Sequence, residues 1–437
     1  MKKKKISTAV VGGGFTGLAA AYTLAKAGHK VTIYEKDNQL GGLAGSFKAK
    51  KFILEKFYHM WYGTDNEIFN FIKDLRLSNK LKQITSRVGI FFDNSIYNFS
   101  KPIDIIKFKP LSFSSRIRFI FFILKCWFIT NPKKLERINC ERWIKNSAND
   151  EIYNIIWKPL LIGKFGKYHK DVSAIWLWNK LVIRGKSRNF KNSSEHLFYY
   201  KGGFSSLVYD VRKILLRKKT IIKLNEKILD IKNIGNKVYL SSNKSKNLYD
   251  NVLLTNHTPE IIQLFKKTNS KYCKRLKKIK YLSNICVILV SKKSLTDFYW
   301  LNINDTNFPF VGIIEHTNFV DKKNYNNKNL IYLSKYLSRS EKIYKKNDKE
   351  LFSFTIKAIK KKFPKFDIDN ILDYYIWRAD YAQPITSLDY TKIIPKFTTP
   401  IKNVFVSTMS QVFPEDRGTN QAVKHGINSA KRILQNN

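Results

Sequence analysis

The pattern of apolar and polar positions is clearest at the two ends of the chain. Residues 6–11 (ISTAVV) form a short apolar run suited to a buried parallel strand, and glycine ends it. Leu18, Ala19, Ala21, Tyr22, Leu24 and Ala25 then fall at helical spacing with a small-residue packing face, and Gly28 stands where a left-handed C-terminal cap belongs. Val31, Ile33 and Tyr34 predict a second strand. Near the other end, Val404, Phe405 and Val406 predict a buried strand. Gly418, Ala422 and Gly426 recur every four residues, so they share one face of the helix that follows. Between these ends, the alternation over 220–242 predicts a strand pair.

Gly12, Gly14 and Gly17 give the first strand–turn–helix a GxGxxG spacing. Gly12 permits the tight turn, Gly14 leaves room for a pyrophosphate to approach the backbone, and Gly17 lets the helix pack closely on the sheet. The helix start, with Phe15 and Thr16, turns unpaired amides toward that anion. Glu35 closes the second strand about 20 residues on, where a carboxylate accepts the hydroxyls of an adenosine ribose, with Lys36 beside it. An acidic residue there repels a 2′-phosphate, which argues against NADP.

After Glu35 the chain continues KDNQLGGLAGSF, which resembles the extended fingerprint of the flavoprotein superfamily of amine oxidases, protoporphyrinogen oxidases and carotenoid desaturases. In that family a Gly-Gly pair, here Gly41–Gly42, crosses under the flavin side of FAD. Leu43 stands where many members carry Arg, so one phosphate contact is missing. The segment 404–433 is similar to the family's C-terminal flavin segment. The resemblance implies that Asp416, with Glu415 as the alternative, reaches the ribityl–phosphate part of FAD. It also implies that the backbone of Thr419 and Asn420 faces the flavin pyrimidine, and that Ile228 reads the adenine.

The implied fold is α/β (mixed α+β), with a Rossmann-like FAD-binding domain of the glutathione-reductase/amine-oxidase type. That domain is discontinuous, from 1–62, 200–260 and 395–437. A substrate domain is built from 63–199, mainly helical, and 261–394. No cysteine lies in the C-terminal flavin segment, so the expected FAD is non-covalent.

Composition changes the picture in one respect. Lys plus Arg is 80 against 33 Asp plus Glu, a formal charge of +47. Abundant Lys, Asn and Ile match an AT-rich coding bias, but scarce acid does not follow from it. No nucleic-acid-binding motif accompanies the charge, so nucleic acid is not an expected partner. The segment 101–137 is basic and aromatic, with Phe119, Phe121, Phe122, Trp127 and Phe128 among Arg116, Arg118 and Lys125. It is too short to span a bilayer, which takes about 20 apolar residues. It reads either as an interfacial helix on an anionic membrane or as a helix buried in the substrate domain. Cys126, Cys140, Cys273 and Cys286 form no metal-like cluster and read as reduced and buried, which fits a cytoplasmic protein, peripheral on the inner face of the membrane. The opening MKKKK reads as a solvated tail rather than a targeting signal.

Candidate chemistry comes from two aromatic clusters, 57–62 (FYHMWY) and 377–384 (WRADYAQP). His59 is the candidate proton shuttle or flavin contact, Tyr58, Trp61 and Tyr381 the pocket walls, and Arg378 the receiver of an acidic substrate group. The bland alternative is that these aromatics are core and His59 is a hydrogen-bonded structural residue. The resemblance implies an FAD-dependent oxidoreductase like protoporphyrinogen oxidases or desaturases, acting by hydride transfer to flavin N5 on a small, anionic or lipophilic substrate. Two alternatives stand beside it: a flavoenzyme like UDP-galactopyranose mutases acting on a nucleotide sugar, and a basic membrane- or nucleic-acid-binding protein with a structural cofactor.

Overall fold

A computed structural model describes residues 6–186 and 196–436. Five parallel strands form the first sheet: β1 (Ser7–Val11), β2 (Lys30–Tyr34), β3 (Ile221–Lys223), β4 (Asn251–Leu254) and β5 (Val404–Val406). Their spatial order is β3-β2-β1-β4-β5, so the order reverses beside β1. Ligands of open α/β sheets bind at such a switch point, beyond the carboxyl ends of the strands. Four residues of β1 are fully buried, as a parallel strand covered on both faces requires. Helix α1 (Phe15–Lys26) follows β1 and packs on the C-terminal helix. A Cβ added at Gly426 of that helix would meet the Thr16 carbonyl oxygen at 2.3 Å, so the small-residue face lets two backbones touch.

A seven-stranded sheet makes the second layer; its long strand Tyr281–Ser291, next to one edge, pairs antiparallel with Asn329–Leu337 on one side and the edge strand Ile371–Pro384 on the other. Period-2 alternation sorts its side chains. Ile285, Val287 and Leu289 pack with Leu351, Ile356 and Ile359 of the helix Asp348–Lys362, whereas Cys286 and Ile288 join the core of the nucleotide-binding layer. Helices predominate among the described residues of 63–199, and short strands stand among them. Leu81–Thr85, Val88–Phe92 and Ser95–Asn98 are all strands, and Val88–Phe92 enters the large sheet parallel to Trp300–Ile303.

The helical remainder includes α2 (Phe113–Trp127), α3 (Lys158–Phe165) and α4 (Ala174–Lys186). Ser112 caps α2 by accepting from the Ser115 amide. Ser115, Phe119, Phe122 and Cys126 form its buried stripe. Phe121 and Phe128 lie on the other face, 66% and 79% exposed, and Phe113 is 69% exposed. One face of this helix is thus buried in the helical layer and the other is exposed. Among the described residues, no helix is long and apolar enough to cross a membrane. All four cysteines are free and buried, and burial pushes the Cys126 thiol up to about 12, so these thiols are packing groups.

Candidate functional site

The turn after β1 is held by close backbone approach. Gly12 adopts φ +114°, and a Cβ there would meet Thr255 Oγ1 at 2.4 Å. At Gly17 a Cβ would lie 1.9 Å from the Gly12 carbonyl oxygen, so only glycine lets α1 start this close to the strand. Gly14 is different: nothing lies within 4 Å of its Cβ position, and as the N-cap of α1 it offers no side-chain cap. Open space therefore adjoins the start of α1. Phe15 and Thr16 turn their side chains inward, Phe15 against the ring of Phe204.

Glu35 is 6% exposed and closes this turn. Its Oε2 accepts from the Gly13 amide at 2.6 Å and its Oε1 from the Asp37 amide at 2.9 Å. Burial pushes its carboxyl up from the ordinary range, and the two amides work against that shift. Each oxygen keeps a lone pair for a sugar hydroxyl. Lys36 is directed elsewhere, its ammonium 2.5 Å from Glu260. The Asn225 and Glu226 amides bond the Asp37 and Glu35 carbonyls, which brings Ile228, the first residue of its strand, to the same edge. On the other side Gly41, at φ +115°, donates to the Gly13 carbonyl. Gly42 is exposed beside Gly14, and Leu43 is half-buried.

The last contributor is the N-terminus of α5 (Thr419–Gln435). Its N-cap is Gly418, which is exposed and supplies no side-chain cap. The side chains of the first two residues are already committed: Thr419 Oγ1 accepts from Trp61 Nε1 at 2.7 Å, and Asn420 Oδ1 from the Ile68 amide at 2.9 Å. Their commitment fixes the helix start and leaves its backbone N–H groups as the available donors. Two uncapped helix starts and a ribose-type carboxylate fit an elongated dinucleotide such as FAD.

Asp416, expected to reach the ribityl–phosphate part of FAD, is held by side chains from two helices. Its Oδ2 lies 2.8 Å from both Lys164 of α3 and Lys180 of α4, on the side of the helical layer. Burial works to raise its carboxyl, but the two ammoniums outweigh burial and hold it well below the usual range. Glu415, the alternative, pairs with Lys424 at 3.6 Å.

The first aromatic cluster sits where the layers meet. Tyr58 packs edge-on against Trp300 and Tyr332, while His59 and Trp61 both lie against Phe204. His59 Nδ1 is 2.6 Å from the Phe57 carbonyl, which can only accept, so this nitrogen carries the proton and Nε2 presents its lone pair. Burial pushes the imidazole down to about 4, with the charge of Arg417 acting in the same direction. A neutral His59 forms no ion pair with Glu55, 4.0 Å away.

In the second cluster the register decides. Arg378 pairs with Ile285 and so lies on the helix side of the sheet, where its guanidinium holds Asp348 at 2.8 Å and the Lys346 carbonyl at 2.7 Å. Trp377, opposite Cys286, faces the nucleotide layer and packs on Phe47. Arg378, expected to receive an acidic substrate group, thus faces the helix Asp348–Lys362 rather than the nucleotide layer. Tyr381 stacks near His257 and Tyr281 and accepts from Arg339 at 3.2 Å.

Two groups without a motif complete the site. Arg417 donates to Gln383 Oε1 at 3.1 Å and to the Tyr336 hydroxyl at 3.0 Å. Burial lowers His59, His257 and Lys164, and the nearby charge of Arg417 acts in the same direction on all three. Glu55 is buried and accepts from the Phe204 amide at 2.8 Å and the Tyr199 hydroxyl at 2.7 Å, leaving Oε2 without a partner. Burial pushes it up to about 7 against those two donors.

With this geometry, a family model for flavin-containing amine oxidoreductases matches residues 15–434. The chain belongs to that family, and by class it is an oxidoreductase built to carry a flavin. Its fold is similar to that of a candidate protoporphyrinogen oxidase from Exiguobacterium sp. 255-15, with TM-score 0.79 and 15% identity, covering 99% of this chain and 100% of that one. It is also similar to reduced UDP-galactopyranose mutase, with TM-score 0.77 and 15% identity over 99% of this chain and 96% of that one. A 4,4'-diapophytoene desaturase from Staphylococcus haemolyticus (strain JCSC1435) is 55% identical over 47 residues, a match spanning 11% of this chain and 9% of the desaturase's length.

Proposed function

We propose that this protein binds FAD non-covalently and dehydrogenates an organic substrate, as protoporphyrinogen oxidases and desaturases do. The observation that carries this is the pair of uncapped helix starts, α1 behind Gly14 and α5 behind Gly418, with Glu35 at the far end. Bound FAD supplies the two-electron acceptor. The chain supplies the enclosure: Phe204, Trp61 and Tyr58 exclude water, and His59 Nε2 is the atom that takes up a proton. Purified protein reconstituted with FAD should retain one flavin per chain and release it on acid denaturation; a protein that retains none overturns the proposal. Anaerobic bleaching by a porphyrinogen, polyene or amine is the expected result of substrate screening. Turnover only after prior reduction, without net change in flavin redox state, would point instead to chemistry like that of UDP-galactopyranose mutases.

We further propose that this enzyme works in the cytoplasm at an anionic membrane surface, docking through the outer face of α2. Phe113, Phe121 and Phe128 stand out of that face with Arg118 and Lys125 exposed among them, matching apolar insertion plus headgroup charge. Co-sedimentation with phosphatidylglycerol vesicles should be lost in the Phe121→Ser/Phe128→Ser double variant. Binding that survives the double substitution overturns the docking face.

A further inference from the structure

The cluster around Asp416 carries more positive charge than a structural ion pair needs. Lys164, Lys180 and Arg417 arrive from α3, α4 and the turn before α5, and one carboxylate stands among them. Both lysines bond the same oxygen, Oδ2, and Oδ1 is buried without a partner among the described residues. Aromatic faces line the space: Trp176 lies 5.6 Å from the Lys164 ammonium and 5.3 Å from that of Lys180, and Tyr336 faces both Lys164 and Arg417. Lys180 keeps 35% of its side chain exposed, so the cluster opens to solvent. Burying unbalanced cations is costly, and a purely structural arrangement would come close to neutrality. Three cations around one anion leave two positive charges to be met by something that comes and goes.

We propose that Lys164, Lys180 and Arg417 form the substrate's anion site, receiving a carboxylate or phosphate group, with Asp416 as the resident counter-ion that holds the lysines apart from their ligand until it arrives. This deepens the oxidoreductase proposal by naming an acidic substrate class, and it rests on that proposal for the neighbouring flavin. It also transfers to Arg417 the role expected of Arg378.

Calorimetric titration of FAD-loaded protein with inorganic pyrophosphate tests it. Lys180→Gln and Arg417→Gln should each weaken binding about tenfold, the scale of one charge-assisted contact. Asp416→Asn should tighten it severalfold, because the resident carboxylate competes with the ligand; a merely structural Asp416 would not do so. Lys357→Gln, an exposed lysine on the helix Asp348–Lys362, controls for the general positive field and should leave affinity unchanged. No pyrophosphate binding, equal weakening in Lys357→Gln, or binding seen only without FAD each overturns the proposal, the last by assigning the anion site to the cofactor's own pyrophosphate. Flavin retention is read separately by absorbance. If the chain retains no flavin, the oxidoreductase proposal fails, and the comparison of Lys180→Gln with Lys357→Gln in FAD-free protein still reads the cluster.

Discussion

Glu35 and Asp416 are both largely buried acids next to the start of a helix, and they are held in opposite ways. Glu35 is gripped by two backbone amides and raised by burial; Asp416 is gripped by two lysine side chains and lowered by them. The first arrangement belongs to the turn itself, since the donors are residues 13 and 37 of the same strand–helix–strand unit. The second needs three segments, 164, 180 and 416, to meet. A carboxylate met by amides can exchange part of its coordination for sugar hydroxyls, whereas one met by ammoniums is a counter-ion whose place another anion can share. The turn around Glu35 is thus set by main-chain geometry and the cluster around Asp416 by side-chain charge.

The largest effect that would test this contrast is on stability. Asp416→Ala leaves two lysines without their partner and should cost about 3–5 kcal/mol in denaturant unfolding, while Glu35→Ala should cost far less. The lowered carboxyl of Asp416 contributes its full stability above the unfolded value of about 3.9 and loses it only as pH falls through the lower folded value. The difference between wild type and Asp416→Asn should therefore stay flat from about pH 8 to about pH 5. Glu55, a third buried acid, has the opposite sign. Raised from 4.5 to about 7, it lends stability below the unfolded value that is lost as pH rises through the folded one. Wild type should lose on the order of 3 kcal/mol over that window, and Glu55→Gln should flatten the slope.

Cofactor affinity comes next. Glu35→Ala should raise the FAD dissociation constant about 100-fold, roughly 3 kcal/mol, whereas Asp416→Asn should shift it less than about threefold. Equal losses in equilibrium dialysis would erase the distinction between the two acids. The smallest effect is at the surface: Phe121→Ser should change unfolding stability by under about 0.5 kcal/mol, since its side chain packs on nothing that the fold requires. The adjacent Phe122, 2% exposed, is the contrasting core position.

Main-chain sites leave a trace in sequence because glycine is required where a Cβ cannot fit. Gly12, Gly17 and Gly426 each have an atom within 2.4 Å of the missing Cβ, and each stands in a spacing that can be read from the chain. The lysine cluster leaves no such trace. Lys164 and Lys180 are two among 80 basic residues, in helices whose apolar spacing says only that one face is buried. Glu55 ends an ordinary strand, and nothing local reveals that Phe204 and Tyr199 close over it. Arg378 illustrates the converse: it lies in an aromatic stretch beside the site, but pairing with Ile285 turns it toward the helix Asp348–Lys362, because one residue of register reverses the face.

The nucleotide turn, the carboxylate that closes it and the small-residue face that joins α1 to α5 are legible along the chain, since each follows from sterics within a few residues. Which face of α2 meets solvent, where Asp416 and Arg378 point, and which cations share one space emerge on folding alone. Charge and burial act across space rather than along the chain, and their partners are set by packing between distant segments.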